Sequence, residues 1–411
     1  MPACDKCKQQ FDKFSELFTH QSTCGTDRNS WLTRLQPTVT EPEEDPTIKI
    51  FYEAPEVIFT VGSGSITFGH DHYNPFAVEW SVITEKPDKN CENLYHVGQE
   101  ASKMASEFGL VYPVVRGKVV DWSKFMIMVQ LILDSNRHNI EDSKVVYIVP
   151  PYWEEGDIVK LVDYLFDLKA LAVCLMPTPI ASFHFLNVQN NEILVDIGYG
   201  CITASRKNGN SMHTHSQKID LGFSDVVELY KSKCNAANVP IDPNIDRSWN
   251  FYVPLNGNHE DDKEDANPLG RSTDALFQAV PALPSLEEAR SRVNNGENVA
   301  NLLIQQPKSV YELIYNQVLG LPTDLSKIVI HIAGWKICKN LPKKMEMDLE
   351  KYIPSVSFTV KCQTIAVSDA WLGAQLLYSY TMTPSKFILR EDYTPGNVEL
   401  VRKSLTTPLT N

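Results

Sequence analysis

The sequence predicts an α/β fold built from two related halves that face each other across a cleft. Two glycine-rich turns in matching contexts carry this prediction, one at residues 62–64 after the apolar run 57–59 and one at 198–200 after 193–195. A β-prone segment follows each turn, so each is typical of a strand–turn–strand hairpin that holds phosphate through backbone N–H groups. Strands alternate with helices along the chain, which indicates parallel pairing within each half.

Each further element is predicted from hydrophobic periodicity and from the residues that end it. A helix over 154–168, for example, places Ile158, Leu161 and Leu165 on one face, and the strand before it ends at Pro150. In chain order, the pattern predicts strands at 145–149, 171–175, 193–195 and 328–332, and helices at 122–133, 154–168, 310–319, 341–352 and 371–380.

Composition excludes several classes of protein. With 411 residues, 43% hydrophobic and 22% charged, the chain has the material for a large globular core. A net charge of -13 argues against a broad nucleic-acid-binding surface. The apolar runs fall short of the ~20 residues that cross a membrane, and the first residues do not resemble a signal peptide. Nine cysteines, an odd number, do not indicate a disulfide framework, so we expect a reducing compartment.

A zinc-binding unit is predicted at residues 1–27. Its spacing is Cys-x2-Cys-x12-His-x3-Cys, and Phe11 and Leu17 stand at the apolar positions of a small ββα core. Two thiolates on a hairpin and a His/Cys pair one helical turn apart can close a tetrahedral site, and the metal would supply the folding energy. The alternative is an unligated tail. The predicted ligands are Cys4, Cys7, His20 and Cys24.

We expect this unit to contact protein rather than DNA. One finger reads only about three base pairs, and the predicted helix at 13–22 holds one lysine, one glutamate and no arginine. A DNA-binding finger is kept as an alternative. Residues 28–52, which include the acidic run 41–46, are predicted to be a polar linker. Two His-x-His clusters, at 70–72 and 213–215, are interpreted as surface loops rather than metal sites.

Seven segments of the main body carry a further signal, because they occur together and in a fixed order. No single one is decisive. They are 59–64 (Phe-Thr-Val-Gly-Ser-Gly), 95–101 (Tyr-His-Val-Gly-Gln-Glu-Ala), 112–122 (Tyr-Pro-Val-Val-Arg-Gly-Lys-Val-Val-Asp-Trp), 219–222 (Ile-Asp-Leu-Gly), 275–278 (Ala-Leu-Phe-Gln), 370–374 (Ala-Trp-Leu-Gly-Ala) and 388–393 (Ile-Leu-Arg-Glu-Asp-Tyr).

In these segments the body resembles actin and the actin-related proteins over about residues 53–400. The resemblance implies an actin/Hsp70-like duplicated fold with ribonuclease H-like halves, and an adenine nucleotide with Mg²⁺ or Ca²⁺ as the expected ligand of the cleft. It places an actin-like domain at 53–411. We expect its first lobe to comprise about 53–190 with 340–411, and its second lobe about 191–339.

Departures from the family pattern predict that hydrolysis is lost. Phosphoryl transfer depends on an oriented water and on metal-neutralised phosphates. The resemblance implies that Thr60 and Tyr199 stand where actins place metal-organising aspartates, while Asp196 is kept. Met176 and Thr203 stand at about the positions of the water-orienting Gln and His. On the adenosine side, Gly334-Trp335-Lys336 replaces a Gly-Gly-Thr segment.

Nucleotide binding without hydrolysis is left open. The turn glycines could still present N–H groups to phosphates, but Tyr199 is bulky and Trp335 could fill the adenosine pocket. The alternative is that the glycines persist because the hairpin backbone needs them. The candidate residues of a degenerate ATP or ADP site are Gly62, Ser63, Gly64, Asp196, Gly198, Gly200 and Gly334.

The leading functional hypothesis is a non-hydrolysing actin-related protein that serves as a structural subunit of a nuclear chromatin-remodelling or acetyltransferase complex. An alternative is the pointed-end actin-related subunit of cytoplasmic dynactin, which the segments 196–199 and 176–178 resemble. A second alternative is a weak ATP-binding protein or ATPase of the same superfamily. Compared with actins, the chain is shortened at about 85–94 and has too few residues between 229 and 274 for a full subdomain 4. Both differences argue against homopolymers.

Overall fold

The computed structural model divides the chain into two compact units, Met1–Glu53 and Ala54–Asn411. In the first unit, a helix α1 (Pro46–Glu53) ends the segment that was predicted to be a linker. Pro46 begins this helix, and its lack of an N–H costs nothing there because the first N–H groups of a helix have no acceptor within the helix. The predicted zinc ligands lie outside the described residues. The structure describes residues 46–69, 77–86, 94–136, 139–207, 214–238, 240–241, 251–252, 276, 283–334, 338–362, 368–381 and 384–406.

The strands of the second unit confirm the predicted hairpins, which include 193–195, and the further strands at 145–149, 171–175 and 328–332, with ends that move by at most two residues. In chain order they are β1 (Glu56–Val61), β2 (Ser65–Gly69), β3 (Ala77–Trp80), β4 (Ile83–Lys86), β5 (Leu94–Val97), β6 (Val114–Val115), β7 (Lys118–Val119), β8 (Lys144–Val149), β9 (Ala172–Pro177), β10 (Ile193–Ile197), β11 (Ile202–Lys207), β12 (Thr214–Ile219), β13 (Phe251–Tyr252), β14 (Lys327–Gly334), β15 (Cys338–Lys339), β16 (Ser357–Cys362) and β17 (Ile388–Leu389).

The helices of the second unit include all five that the periodicity predicts. They are α2 (Gly98–Lys103), α3 (Ala105–Phe108), α4 (Trp122–Ser135), α5 (Glu155–Asp167), α6 (Thr178–Leu186), α7 (Phe223–Ala237), α8 (Leu286–Asn294), α9 (Val310–Leu319), α10 (Leu341–Tyr352), α11 (Asp369–Thr381) and α12 (Val398–Thr406). Among the described residues, none of the helices combines the length and the apolar character that crossing a membrane requires.

Two sheets repeat one plan. The first has the strand order β17-β9-β8-β1-β2-β3, and the second has the order β16-β14-β10-β11-β12. In each, the strand before the glycine-rich turn pairs antiparallel with the strand after it and parallel with the strand on its other side. The two sheets therefore confirm the predicted duplication, with β1 and β10 in equivalent places and β17 added at one edge.

Each sheet carries its own hydrophobic core. All six residues of β8 are buried, as expected for a central strand that helices cover on both faces. A second core lies between β10, β14 and β16 and the helices α7, α9 and α10. Local signals fix the helices: Ser309 accepts a hydrogen bond from the Glu312 N–H, and Glu312 accepts one from the Ser309 N–H, which forms a capping box for α9.

The predicted lobe boundary at residue 339 is wrong. Strand β16 pairs in parallel with β14 of the second sheet over six residues. Helix α10 covers this strand, its Leu349 is buried in the second core, and its Glu346 accepts a hydrogen bond from the Val360 N–H at 2.7 Å. The second lobe therefore extends to Cys362, because the pairing of β16 is non-local and leaves no mark on its own sequence.

Helices α6 and α11 join the two lobes and pack against each other. Their approach depends on Gly373, where an added Cβ would lie 1.8 Å from the Ala181 carbonyl oxygen. The indole N–H of Trp371, at the start of α11, donates a buried hydrogen bond of 2.9 Å to the Ile58 carbonyl. Each helix follows the last parallel strand of its lobe, so the chain crosses between the lobes at the base of the cleft.

Candidate functional site

A cavity of about 420 Å³ lies between the two glycine-rich turns. Its walls come from both sheets and from the first turns of α6 and α11. This places the site where the duplication predicts it, at the same end of the equivalent strands β1 and β10. The walls include every candidate residue of the degenerate nucleotide site: Gly62, Ser63, Gly64, Asp196, Gly198, Gly200 and Gly334.

The two turns are closed by the same backbone hydrogen bond. The Gly62 N–H donates to the Ser65 carbonyl at 2.8 Å, and the Gly198 N–H donates to the Cys201 carbonyl at 2.9 Å. The second turn is also tied to α7, because the Ser224 N–H donates to the Tyr199 carbonyl. The first glycine of each turn therefore donates its N–H within its own hairpin.

The tips of the turns interlock. A Cβ added to Gly64 would lie 2.6 Å from the Cβ of Tyr199, and a Cβ added to Gly200 would lie 2.5 Å from the Ser63 hydroxyl. The middle residue of each turn thus packs on the last glycine of the other. A side chain at Gly64 or Gly200 would therefore collide with the side chain of the opposite turn, a reason for glycine that differs from ligand contact.

A tight hairpin between β6 and β7 meets both turns. Arg116 and Gly117 form its tip, with φ of 50° and 75°, the left-handed pair that a two-residue hairpin turn favours. The Gly117 N–H donates to the Ser63 hydroxyl at 2.7 Å in a buried contact. The Gly117 carbonyl accepts from the indole of Trp153 at 2.9 Å. These contacts fix the hairpin tip to the first lobe.

The same hairpin tip is held by charged groups of the second lobe. The Arg116 guanidinium donates to both carboxylate oxygens of Asp225, one of them at 2.7 Å. The Lys218 ammonium donates to the Arg116 carbonyl at 2.9 Å. Burial alone would raise the pKa of Asp225, but hydrogen bonds from Arg116 and from the Gly222 N–H outweigh it and hold that pKa below its usual value. The cleft is therefore spanned by a bidentate ion pair.

The positions that the resemblance assigns to hydrolysis lie in different surroundings. Met176 is fully buried within β9 and is not part of the described cavity wall. Thr203 lines the cavity as a short hydroxyl beside Asp196, its partner in the β10–β11 ladder. The Thr60 hydroxyl lies 3.3 Å from the Ile148 carbonyl, to which it donates. Trp335 and Lys336 lie outside the described residues.

Three parts of the site were missed by sequence reasoning. The Arg116–Asp225 pair joins residues 109 positions apart, and no spacing rule connects them. Asp369 is buried at the start of α11 and accepts from the Gly334 N–H at 3.3 Å. Ser182 is buried in α6 on the cavity wall, and among the described residues its hydroxyl has no hydrogen-bond partner. Two of these parts lie in or beside segments that carry the family resemblance: Arg116 lies in 112–122, and Asp369 directly precedes 370–374.

Metal sites are not found in the described part of the chain, where no three His, Cys, Asp or Glu side chains cluster as a metal would require. This statement does not reach the predicted zinc site, because Cys4, Cys7, His20 and Cys24 all lie outside the described residues. His70, His72 and His213 lie outside them as well. His215 is described: it is half-buried in β12, where its ring lies 3.3 Å from the Gln317 side chain.

Comparisons with known proteins agree with this architecture. The family model described as Actin matches residues 52–313. Actin-like protein 9 of Rattus norvegicus is 22% identical over 330 residues, which cover 74% of this chain and 76% of that protein. Actin-like protein 9 of Bos taurus is 20% identical, with 86% and 89% covered. Actin-like protein 8 of Homo sapiens is 19% identical, with 69% and 81% covered.

Proposed function

This chain belongs to the actin family, and we propose that it is a non-hydrolysing structural subunit of a multiprotein complex. The observation that carries the proposal is the chemistry of the cavity wall. Over the described residues, the wall holds no glutamine, histidine, lysine or arginine. Hydrolysis of a nucleoside triphosphate needs a group that orients water and positive charge that neutralises the phosphates.

The residues present fit a metal–triphosphate poorly. Tyr199 packs against Gly64 in the space between the turns, and the N–H groups of Gly62 and Gly198 already donate to their own hairpins. Among the described residues of the wall, the charged side chains are Glu79, Asp196 and Asp369, which can hold a metal ion but offer the phosphates themselves no positive charge. We therefore expect the cavity to hold no nucleotide, although the role of a structural subunit does not depend on an empty cavity.

An assay of ATP turnover tests the enzymatic half of the proposal. The purified full-length chain, with Mg²⁺ and ATP, is expected to release phosphate no faster than buffer, while actin assayed in parallel gives a signal. The Asp196→Ala variant is the matched control. Turnover that exceeds background and disappears in Asp196→Ala would contradict the proposal and favour an ATPase of the actin superfamily.

Partner purification tests the structural half. We propose a nuclear complex of the chromatin-remodelling or acetyltransferase class, because an added zinc unit at Cys4, Cys7, His20 and Cys24 suits protein contacts in such an assembly. The tagged full-length chain is expected to co-purify with the subunits of one of these complexes. Co-purification with dynactin would instead support the cytoplasmic alternative, and a chain that purifies alone would contradict both.

Zinc itself is tested separately. The purified chain is expected to hold one zinc per molecule by elemental analysis, and a Cys4→Ser/Cys24→Ser variant is expected to lose it, since two of four ligands are removed. An unchanged zinc content in the variant would contradict the predicted ligand set. Affinity for duplex DNA that depends on His20 would favour the DNA-binding alternative.

A further inference from the structure

We infer that the chain itself supplies the link between its lobes that a cleft ligand would otherwise make, and that Tyr199 is the residue that excludes polyphosphates from the cavity. Six residues form this link, which we call the bridge. They are Ser63, Gly64, Arg116, Tyr199, Gly200 and Asp225. The inference deepens the proposed function and rests on it, because a cleft that turns over a nucleotide must open and close.

The first part of the bridge is steric. Gly64 of the first lobe and Tyr199 of the second lie close together. A methyl added to Gly64 would lie 2.6 Å from the Tyr199 Cβ and 2.7 Å from its Cγ. The Tyr199 ring packs against the Phe223 ring, with 6.3 Å between the ring centroids. A polyphosphate that touched both turns would have to displace this side chain, because two groups cannot fill one space.

The second part of the bridge is electrostatic. Arg116 is anchored to the first lobe through its hairpin, and Asp225 lies in the first turn of α7 in the second lobe. Their bidentate contact is the strong form of a charge-assisted pair. The guanidinium also lies 3.3 Å from the Gly200 carbonyl, to which it donates. One side chain thus ties the second turn and α7 to the first lobe.

A third contact makes the bridge continuous. The Ser63 hydroxyl, 9% exposed, accepts the Gly117 N–H at 2.7 Å and packs on Gly200. Ser63 and Arg116 are therefore connected through one peptide unit of the hairpin. These contacts therefore link the two lobes through groups of the chain itself.

Wild-type protein gives the first test. Thermal unfolding of the full-length chain is measured with and without millimolar Mg²⁺–ATP, and in parallel with Mg²⁺–ADP. A ligand that binds the folded state raises the midpoint, whereas one that does not bind leaves it unchanged. We expect no shift with either nucleotide. A reproducible rise with either would overturn the inference.

Replacement of the ring gives the second test. Tyr199→Gly removes the side chain and keeps the turn backbone, while Tyr199→Phe keeps the ring and serves as the matched control. Binding of a fluorescent ATP analogue with Mg²⁺ is expected to strengthen at least about tenfold in Tyr199→Gly, which corresponds to ~1.4 kcal/mol, and to stay at the wild-type level in Tyr199→Phe. Equal affinity in all three proteins would overturn the assignment of Tyr199.

Hydrogen exchange tests the ion pair and remains informative even where Tyr199→Gly does not fold. Asp225→Asn removes the negative charge of the ion pair that joins the lobes. Glu297→Gln removes the matched bidentate partner of Arg292, whose two contacts of 2.7 Å lie within one lobe. We expect amide exchange in β6, β7 and the turn after β10 to rise about tenfold in Asp225→Asn only. Equal protection in the two variants would overturn the bridge.

These outcomes separate the two proposals. A wild-type chain that binds a nucleotide without turning it over would remove the bridge and leave the structural subunit in place. Turnover that depends on Asp196 would remove the proposed function itself.

Discussion

The two glycine-rich turns have the same backbone and different side chains at their tips. Both follow a buried strand, and both are closed by one N–H to carbonyl bond of nearly equal length. Between its glycines, however, the first turn holds the small Ser63, which packs on Gly200 and accepts a hydrogen bond from the hairpin of its own lobe, and the second holds the large Tyr199, which packs on Gly64. Duplication has preserved the frame, while the contact between the copies has become asymmetric.

This difference shows that a glycine can be required for a neighbouring turn rather than for a ligand. Gly62 and Gly64 stand two residues apart in one loop. A Cβ on Gly62 would meet its nearest atom, the Ser65 carbonyl oxygen, at an ordinary 3.6 Å, whereas a Cβ on Gly64 would collide with Tyr199.

The largest effect is expected for Gly64→Ala. The new methyl cannot fit without moving the Tyr199 backbone, because the clash is with its Cβ, so the free energy of unfolding should fall by about 2–3 kcal/mol. Chemical denaturation measures it. Gly62→Ala in the same turn is the matched control and should change little. In the double variant Gly64→Ala/Tyr199→Gly, most of the loss should return, and a strictly additive result would contradict the interlocked turns.

A smaller loss is expected for Ser63→Ala, which leaves the buried Gly117 N–H without its acceptor. An unsatisfied buried donor costs about 1–3 kcal/mol, so we expect the free energy of unfolding to fall by about 1.5 kcal/mol. Ser65→Ala is the control, since the turn uses the Ser65 carbonyl, which that change keeps. Equal stability of the two variants by denaturant titration would show that the Ser63 contact does not hold the hairpin.

The smallest effect is expected for Asp225→Asn. Arg116 is about a third exposed, and solvent screening reduces the value of such a pair, so we expect a loss of about 1 kcal/mol at neutral pH. The pKa of Asp225 is lowered in the folded state. Its contribution is therefore full above the ordinary aspartate pKa of about 3.9 and is lost as the pH falls through the lower folded value.

A pH series of unfolding measurements checks this expectation. The wild type should lose stability below about pH 4 by more than Asp225→Asn does, because only the wild type has a carboxylate to protonate at this position. Glu297→Gln also removes a carboxylate whose pKa is lowered, by its hydrogen bonds from Arg292, so its curve should flatten as well, but by less than that of Asp225→Asn because solvent screens this exposed pair. Parallel wild-type and Asp225→Asn curves would contradict a charged link between the lobes.

Local structure could be predicted closely where the signal is local. Helix α9 was predicted with both ends correct, since its apolar face and the Ser309 capping box lie within the helix and its first turn. Helix α10 was also predicted with both ends correct. Helix α10 was nevertheless assigned to the wrong lobe, because that assignment depends on the pairing of β16 with β14. The predicted zinc site and the histidine clusters at 70–72 and 213 stay predictions.

Sequence alone was enough to predict the duplicated α/β plan and the two turns. These are properties of short segments, and each segment carries its own periodicity or glycines. How the two copies meet is set by long-range packing. Whether Gly64 faces a ligand or Tyr199, and whether Arg116 meets Asp225, depends on the distance between backbones more than 100 residues apart. Packing of the whole chain sets that distance, and no local pattern records it.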